Sequence, residues 1–300
     1  MSDSAGSSFS EGISYPADRD IEGLTSRIDL DEQYGGLIAL NLQARWNLYR
    51  YTEDGRDIHA EVIAALKLQG NEGIVDIGCG DGSTYEHISR EHTGILHGVD
   101  LSVDPFLTHK EILDRGHPKA EFIHGELPAT ELPSRKYDIA MALFVLYHLP
   151  DPIEGILELR RVTKESGRVV IATSGPLNKY RHRKFEKEMA EVMGIEPPPI
   201  FAGSFSTYKA NDLLNAIFGK DNVISDGQCS PIIISDEEGV QDYIASLNTM
   251  RASFKPRPSA KEWNRIIESL VLPSIWSAIE DKGQFVDIAE RRYYICRNRK

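Results

Sequence analysis

The residues best suited to chemistry lie in the run Asp76-Ile77-Gly78-Cys79-Gly80-Asp81-Gly82, directly after a short β-branched stretch. Three glycines at alternate positions let a ligand approach the main chain closely and permit φ > 0 where the loop needs it. Ser83 and Glu86 follow with capping-box spacing, which predicts a helix start. The first amides of such a helix face an anionic group such as an amino-acid carboxylate, while Asp76 and Asp81 add negative charge to the same loop. That combination suits a zwitterion with an ammonium group and is awkward for a pyrophosphate. A dinucleotide-binding loop, which wants G-x-G-x-x-G, is the competing reading, and the spacing here is G-x-G-x-G.

The elements around this loop alternate. The pattern predicts strands at 73–77, 94–99, 121–124, 137–145 and 167–174, with helices at 83–91, 105–115 and 151–163 between them. Strands alternating with helices imply an α/β fold whose parallel sheet is covered on both faces. Upstream, 1–20 reads as a mobile segment, 32–51 as a weakly amphipathic helix carrying Tyr34, Trp46, Tyr49 and Tyr51, and 56–68 as a better one. Downstream come a charged helix at 180–193, a Pro-rich stretch at 196–200 and a helix at 211–218. A strand region at 222–234, interrupted at Gly227, precedes helices at 237–250 and 260–279 and a last strand at 285–297.

The strand tips carry further signals. The second strand ends in Gly98-Val99-Asp100-Leu101-Ser102, and Asp100, about twenty residues past the glycines, is placed to accept hydrogen bonds from two ribose hydroxyls. The third ends in Gly125-Glu126-Leu127, and the fourth runs from Tyr137 through Tyr147-His148 to Asp151.

The stretch from Asp76 to Gly82 resembles motif I (D/E-x-G-x-G-x-G) of the class I S-adenosylmethionine-dependent methyltransferases. The stretch from Asp138 to Asp151 is similar to the family's D-(x)9-H-x-x-D pattern, with Asp138, His148 and Asp151 in place. Many relatives carry His-His or Glu-His where this chain has Tyr147-His148, and Asp where it has Glu126. The resemblance is strong over 71–174 and looser at the last strand. It implies a Rossmann-like seven-stranded, mostly parallel sheet with an antiparallel last strand, a helical N-terminal lid (21–55) and a helical cap (237–280). The cap interrupts a core of 56–236 and 281–300.

It further implies S-adenosyl-L-methionine as cofactor, leaving as S-adenosyl-L-homocysteine. The resemblance places Asp76, Gly78, Cys79, Gly80, Asp81, Gly82, Asp100, Leu101, Gly125, Glu126, Leu127 and Phe144 around it. Glu126 or the backbone of Leu127 meets the adenine. Tyr147 and His148 lie where the sheet edge meets the methyl group, so one of them orients the acceptor or takes its proton. The plainer alternative makes His148 a cap of the next helix and Tyr147 part of the pocket wall. Tyr34, Trp46, Tyr49 and Tyr51 either cage a flat or cationic acceptor or simply pack. Nothing matches the NPPY or DPPY tetrapeptide that DNA and some RNA or protein methyltransferases carry after the fourth strand. The resemblance therefore points to a small-molecule acceptor, in the manner of natural-product tailoring enzymes, with a peptide, protein or carrier-tethered acceptor, or a non-catalytic binding module, as alternatives.

Composition narrows the classes. A net charge of −12 gives no overall attraction to a polyphosphate, so nucleic acid is not the expected partner. The three cysteines, Cys79, Cys229 and Cys296, form no CxxC pair, and no HExxH spacing occurs, so neither a disulfide framework nor a metal site is expected. The N-terminus lacks a signal-peptide pattern, and the longest apolar run, Ile139 to Leu146, is too short to cross a bilayer. A cytoplasmic enzyme is expected, with no preference as to oligomeric state. The run Lys179-Tyr180-Arg181-His182-Arg183-Lys184 is the one dense basic patch; it reads as a solvated helix face, or as a dock for an anionic acceptor or its carrier.

Overall fold

The computed structural model describes residues 44–80, 82–101, 120–198 and 204–299. Within them seven strands form one sheet in the order β3-β2-β1-β4-β5-β7-β6: β1 (Ile74–Ile77), β2 (Leu96–Asp100), β3 (Ala120–His124), β4 (Tyr137–Leu143), β5 (Thr163–Ser174), β6 (Val223–Ile234) and β7 (Phe285–Arg297). The pairs β1–β2, β1–β4, β2–β3 and β4–β5 are parallel, and β7 runs antiparallel to both β5 and β6. This is the expected doubly wound α/β sheet. Its strand order reverses beside β1, so the carboxyl ends of β1 and β4 flank a crevice.

Burial explains the strand sequences. All four residues of β1 are buried, as expected for a central parallel strand covered on both faces. One face packs Val75, Ile77, Ala140 and Ala142 against α2 (Pro152–Val162) and α4 (Thr207–Phe218). The other packs Ile74, Met141 and Leu143 against α1 (Ile58–Leu66). Helix starts are set by acids: Asp57 accepts from the amides of His59 and Ala60, and Asp151 accepts from Ile153 ahead of Pro152.

A second apolar cluster lies where β6 and β7 extend beyond the parallel strands. It joins α3 (Tyr180–Met193), α5 (Glu237–Asn248), α6 (Ala260–Ile266) and α7 (Leu272–Lys282) around Phe185, Tyr243, Trp263 and Phe285. Helix α3 thus shares the apolar interior of the segment read as a cap.

Three expectations are corrected. Strand β6 is not interrupted at Gly227, which pairs with Arg292 in unbroken register. A Cβ there would lie 2.6 Å from the Arg291 carbonyl, so the glycine serves close backbone approach. The single helix expected over 260–279 is split by a π-helical turn at Ile267–Val271. Pro273 lacks an amide proton and its ring crowds the preceding turn, and the wider turn absorbs both effects. The helix expected at 83–91 is a five-residue 3-10 turn, Ser83–His87, with Gly82 rather than Ser83 at its N-cap and no side-chain cap. The segment at 1–20, the helix at 105–115 and Tyr34 lie outside the described residues.

Candidate active site

After β1 the chain turns at Gly78, with φ of 79°. The amides of Gly78 and Cys79 both donate to the Val99 carbonyl, at 2.6 and 3.1 Å. A Cβ on Gly78 would fall 2.3 Å from Val145 Cγ2, so this position needs both positive φ and no side chain. Gly80 and Gly82 also have positive φ, 54° and 76°. Across the crevice, the amide of Gly80 donates to Asp100 Oδ2 at 2.8 Å, and that of Gly125 donates to the Asp100 carbonyl at 3.1 Å. Three strand tips are thereby laced into one rim.

The predicted rim residues contribute unequally. The Cys79 side chain is buried, and a Cβ on Gly98 would approach its sulfur to 2.9 Å, so Cys79 offers a ligand its main chain. Leu127 spends its side chain in the core, which favours its backbone as the contact. Glu126 is half-buried in a bridge with Ala129, and Leu101 is half-buried at the end of β2. Asp81 lies outside the described residues. The five-residue 3-10 turn after the glycines lacks the dipole of the expected helix.

Asp76, only 1 % exposed, is the acidic centre of the rim. Burial pushes its carboxyl up to about 7, with the charge of Asp100 adding and a hydrogen bond to the Thr84 side chain opposing. Its Oδ1 has no hydrogen-bond partner among the described residues. The Thr84 hydroxyl also lies 2.9 Å from His59 Nδ1. With Asp76 ionised, Thr84 gives its single proton to the carboxylate, so His59 donates from Nδ1 and keeps Nε2 as an acceptor. Nε2 is buried with no hydrogen-bond partner among the described residues, and burial lowers the imidazole to about 4. The sequence reading missed His59; its one signal was an isolated histidine on the apolar face of a helix.

At the tip of β4, Phe144 adopts φ of 62°, rare for a non-glycine residue, while its amide donates to the Ala172 carbonyl at 2.9 Å. Its ring meets Trp46 edge-on at 5.3 Å, and Trp46 lies 4.6 Å from the His59 ring and 5.6 Å from Tyr49. The following 3-10 turn, Leu146–His148, sets the Tyr147 and His148 rings 4.6 Å apart. Burial lowers His148 to about 3, with the Arg45 charge adding. This histidine is therefore neutral at pH 7 and does not cap α2, a role taken by Asp151. Asp138 stands at the opposite end of β4, accepting from the Gly73 amide and from Lys164 Nζ, both at 2.8 Å. Of the Asp138, His148 and Asp151 pattern, Asp138 and Asp151 thus serve the fold, one at the start of β4 and one as the cap of α2.

Two of the aromatic residues read as a cage or as packing make contacts within the chain itself. Tyr49 carries Arg291 Cζ 3.7 Å and Lys179 Nζ 5.0 Å from its ring centroid, so the chain's own cations already occupy the ring. Tyr51 turns to α5, where its hydroxyl donates to Asp242 at 2.9 Å. Trp46 and Tyr49 remain together near Phe144. The 179–184 run is not one solvated face either. Lys179 and Arg183 face inward, Arg181 lies over Phe285, and Lys184 pairs with Glu188 at 3.6 Å.

A metal ion has no gathered ligands here: among the described residues no group of three or more His, Cys, Asp or Glu side chains could hold one. No described helix is long and apolar enough to cross a membrane.

Comparison with known proteins places this geometry. Residues 75–169 match a family described as "Methyltransferase domain". The chain is 28% identical over 120 residues to the mitochondrial ubiquinone biosynthesis O-methyltransferase of Schizosaccharomyces pombe, covering 39% of this chain and 43% of that protein. It is 33% identical over 112 residues to the tRNA U34 carboxymethyltransferase of Hydrogenovibrio crunogenus, covering 35% and 33% respectively. The chain thus spans less than half the length of these curated relatives. Among solved structures it resembles a putative methyltransferase of Bacillus halodurans, with TM-score 0.53 and 15% identity over 81% of this chain and 99% of that one. It also resembles phosphoethanolamine N-methyltransferase 2 of Haemonchus contortus, solved with S-adenosyl-L-methionine, with TM-score 0.52 and 15% identity over 93% and 61%. Residues 75–169 thus match a methyltransferase domain, as the motifs led one to expect, and the sheet shares its fold with these solved structures.

Proposed function

We propose that this chain transfers a methyl group from S-adenosyl-L-methionine to an N, O or C nucleophile of a small aromatic or heterocyclic acceptor, as a tailoring step in secondary metabolism. The observation that carries the cofactor reading is the rim itself. A buried carboxylate, Asp76, with one oxygen that has no partner among the described residues, lies next to a glycine loop tied to Asp100. A ligand with an ammonium group gives Asp76 Oδ1 the donor it lacks, and ribose hydroxyls suit Asp100. The loop glycines, the main chains of Cys79 and Leu127, and Leu101, Gly125, Glu126 and Phe144 complete the cradle.

The bound cofactor supplies an activated methyl carbon, so the protein's work is to align a nucleophile and exclude water. Phe144, Trp46 and Tyr49 wall the site where the acceptor enters. His148, held neutral, is an uncharged hydrogen-bond acceptor for the nucleophile's proton. A group of such low basicity orients an acceptor better than it deprotonates one. Tyr147 beside it fixes the direction of approach. We read 21–55 as a lid and 237–280 as a cap over the core, and the protein as cytoplasmic. The net charge of −12 favours a small acceptor over the tRNA named for one relative.

The test is a screen of aromatic and heterocyclic metabolites with methyl-labelled cofactor. Label in a small product supports the reading. Label only in tRNA or protein, or in nothing despite cofactor binding, contradicts it.

A further inference from the structure

Lys179 and Arg183 lie one turn apart on the inner face of α3, the Arg183 amide donating to the Lys179 carbonyl at 3.1 Å. Lys179 Nζ donates to the Arg45 carbonyl and to Ser246 Oγ, each at 3.2 Å, and both partners are neutral. Arg291, on the same Tyr49 ring, bonds the Gln228 amide oxygen at 3.0 Å and the Arg56 carbonyl at 3.3 Å, again neutral. The Arg183 guanidinium makes no hydrogen bond among the described residues. None of these three cations has a carboxylate within ion-pair distance there.

The nearby acids are engaged elsewhere. Asp287 accepts from the amides of Arg181, His182 and Ile288 and from the Tyr243 hydroxyl. Glu290 accepts from the Leu177 amide at 2.7 Å and from Thr207. Burial lowers Lys179 to about 7 and depresses Arg183 as well. The charges of Glu186, Asp287 and Glu290 oppose that shift from a distance, but a cluster of half-buried cations with no carboxylate in ion-pair contact among the described residues is costly for folding, and an incoming anion offsets that cost. A chain of contacts connects the cluster to the tip of β4. Lys179 holds the carbonyl of Arg45, whose charge bears on His148, and Tyr49 leads through Trp46 to Phe144.

We propose that the methyl acceptor carries an anionic group, carboxylate or phosphate, seated between Lys179 and Arg183 beside Tyr49. This rests on the methyltransferase reading above and narrows it. Because these side chains face inward while Arg181 and Lys184 are engaged with Phe285 and Glu188, the run recognises a small anion and not a carrier-protein surface.

The experiment titrates the S-adenosylhomocysteine-loaded protein calorimetrically with benzoate, phenyl phosphate and neutral benzamide. At least one anion should bind about tenfold or more tighter than benzamide, the better anion separating carboxylate from phosphate. Arg183→Met and Lys179→Met should lose that preference, with unchanged affinity for S-adenosylhomocysteine, and Arg183→Lys should recover part of it. Arg183→Met should also melt at a higher temperature than wild type, since it removes a buried charge. Equal affinity for charged and neutral probes, undetectable binding of both anions, or preference retained in Arg183→Met overturns the proposal. Failure of wild type to bind S-adenosylhomocysteine would instead overturn the underlying cofactor reading.

Discussion

Asp100 accepts, at 2.8 Å, the amide proton of Gly80 on the neighbouring strand's loop, so the acid at the tip of β2 and the glycine turn after β1 form one unit. The turn is held from behind as well, because Gly78 faces Val145 with no room for a side chain. Gly78→Ala should therefore destabilise the protein by about 2–4 kcal/mol, combining overpacking with positive-φ strain, and should abolish S-adenosylhomocysteine binding. Denaturant melts and calorimetry check both effects; a variant as stable as wild type would mean that the loop is not rigid.

Asp76 links binding to protons. Its folded pKa, raised from 3.8 to about 7, means the native state holds more protons than the unfolded chain between those values. Stability contributed by the protonated form is present below pH 3.8 and is lost as pH rises through about 7, by up to about 1.4 kcal/mol per pH unit. An ammonium donor on the ligand favours the carboxylate, so binding near pH 7 should release about half a proton. Calorimetry in buffers of different ionisation heat measures this. Release should vanish in Asp76→Asn, and buffer-independent heats in wild type would count against the role.

His59 acts in the opposite sense. Its folded pKa is lowered from 6.5 to about 4, so the unfolded chain binds more protons below pH 6.5. The neutral ring's contribution is full above that pH and declines towards pH 4, again by up to about 1.4 kcal/mol per unit. In His59→Gln, the fall of melting temperature between pH 6.5 and 4 should be shallower than in wild type. An unchanged profile would show that His59 does not titrate with folding.

Tyr147 and His148 should affect turnover more than cofactor affinity. His148→Ala is expected to lower kcat by about 10- to 100-fold on the true acceptor, the loss of an orienting hydrogen bond, with S-adenosylhomocysteine affinity unchanged. Tyr147→Phe should cost less. Near-normal turnover in both would return these residues to the pocket wall.

The sheet was legible because the signals are local: β-branched runs, glycines at alternate positions, and acids at strand tips. The acids and glycines at the strand tips were legible too, whereas the side chains packed around them were not. His59 escaped because nothing in its helix announces that Thr84, 25 residues on, will meet its ring. Tyr49 was readable as an aromatic but not as one already covered by Arg291, a contact across 242 positions of sequence. The 179–184 run misled for a related reason, since charge density says nothing of which side chains a helix turns inward. Gly227 looked like a break because a glycine needed for close strand packing has the same letter as one that ends a strand.

Titrating S-adenosylhomocysteine into wild type and Asp100→Asn in a calorimeter measures whether the rim around Asp100 holds the cofactor. Saturable binding to wild type should weaken by about tenfold or more when the carboxylate becomes an amide, because one neutral acceptor oxygen then replaces two charged ones and cannot serve both the ribose and the Gly80 amide. Absence of binding to wild type, or equal affinity in the variant, would contradict it.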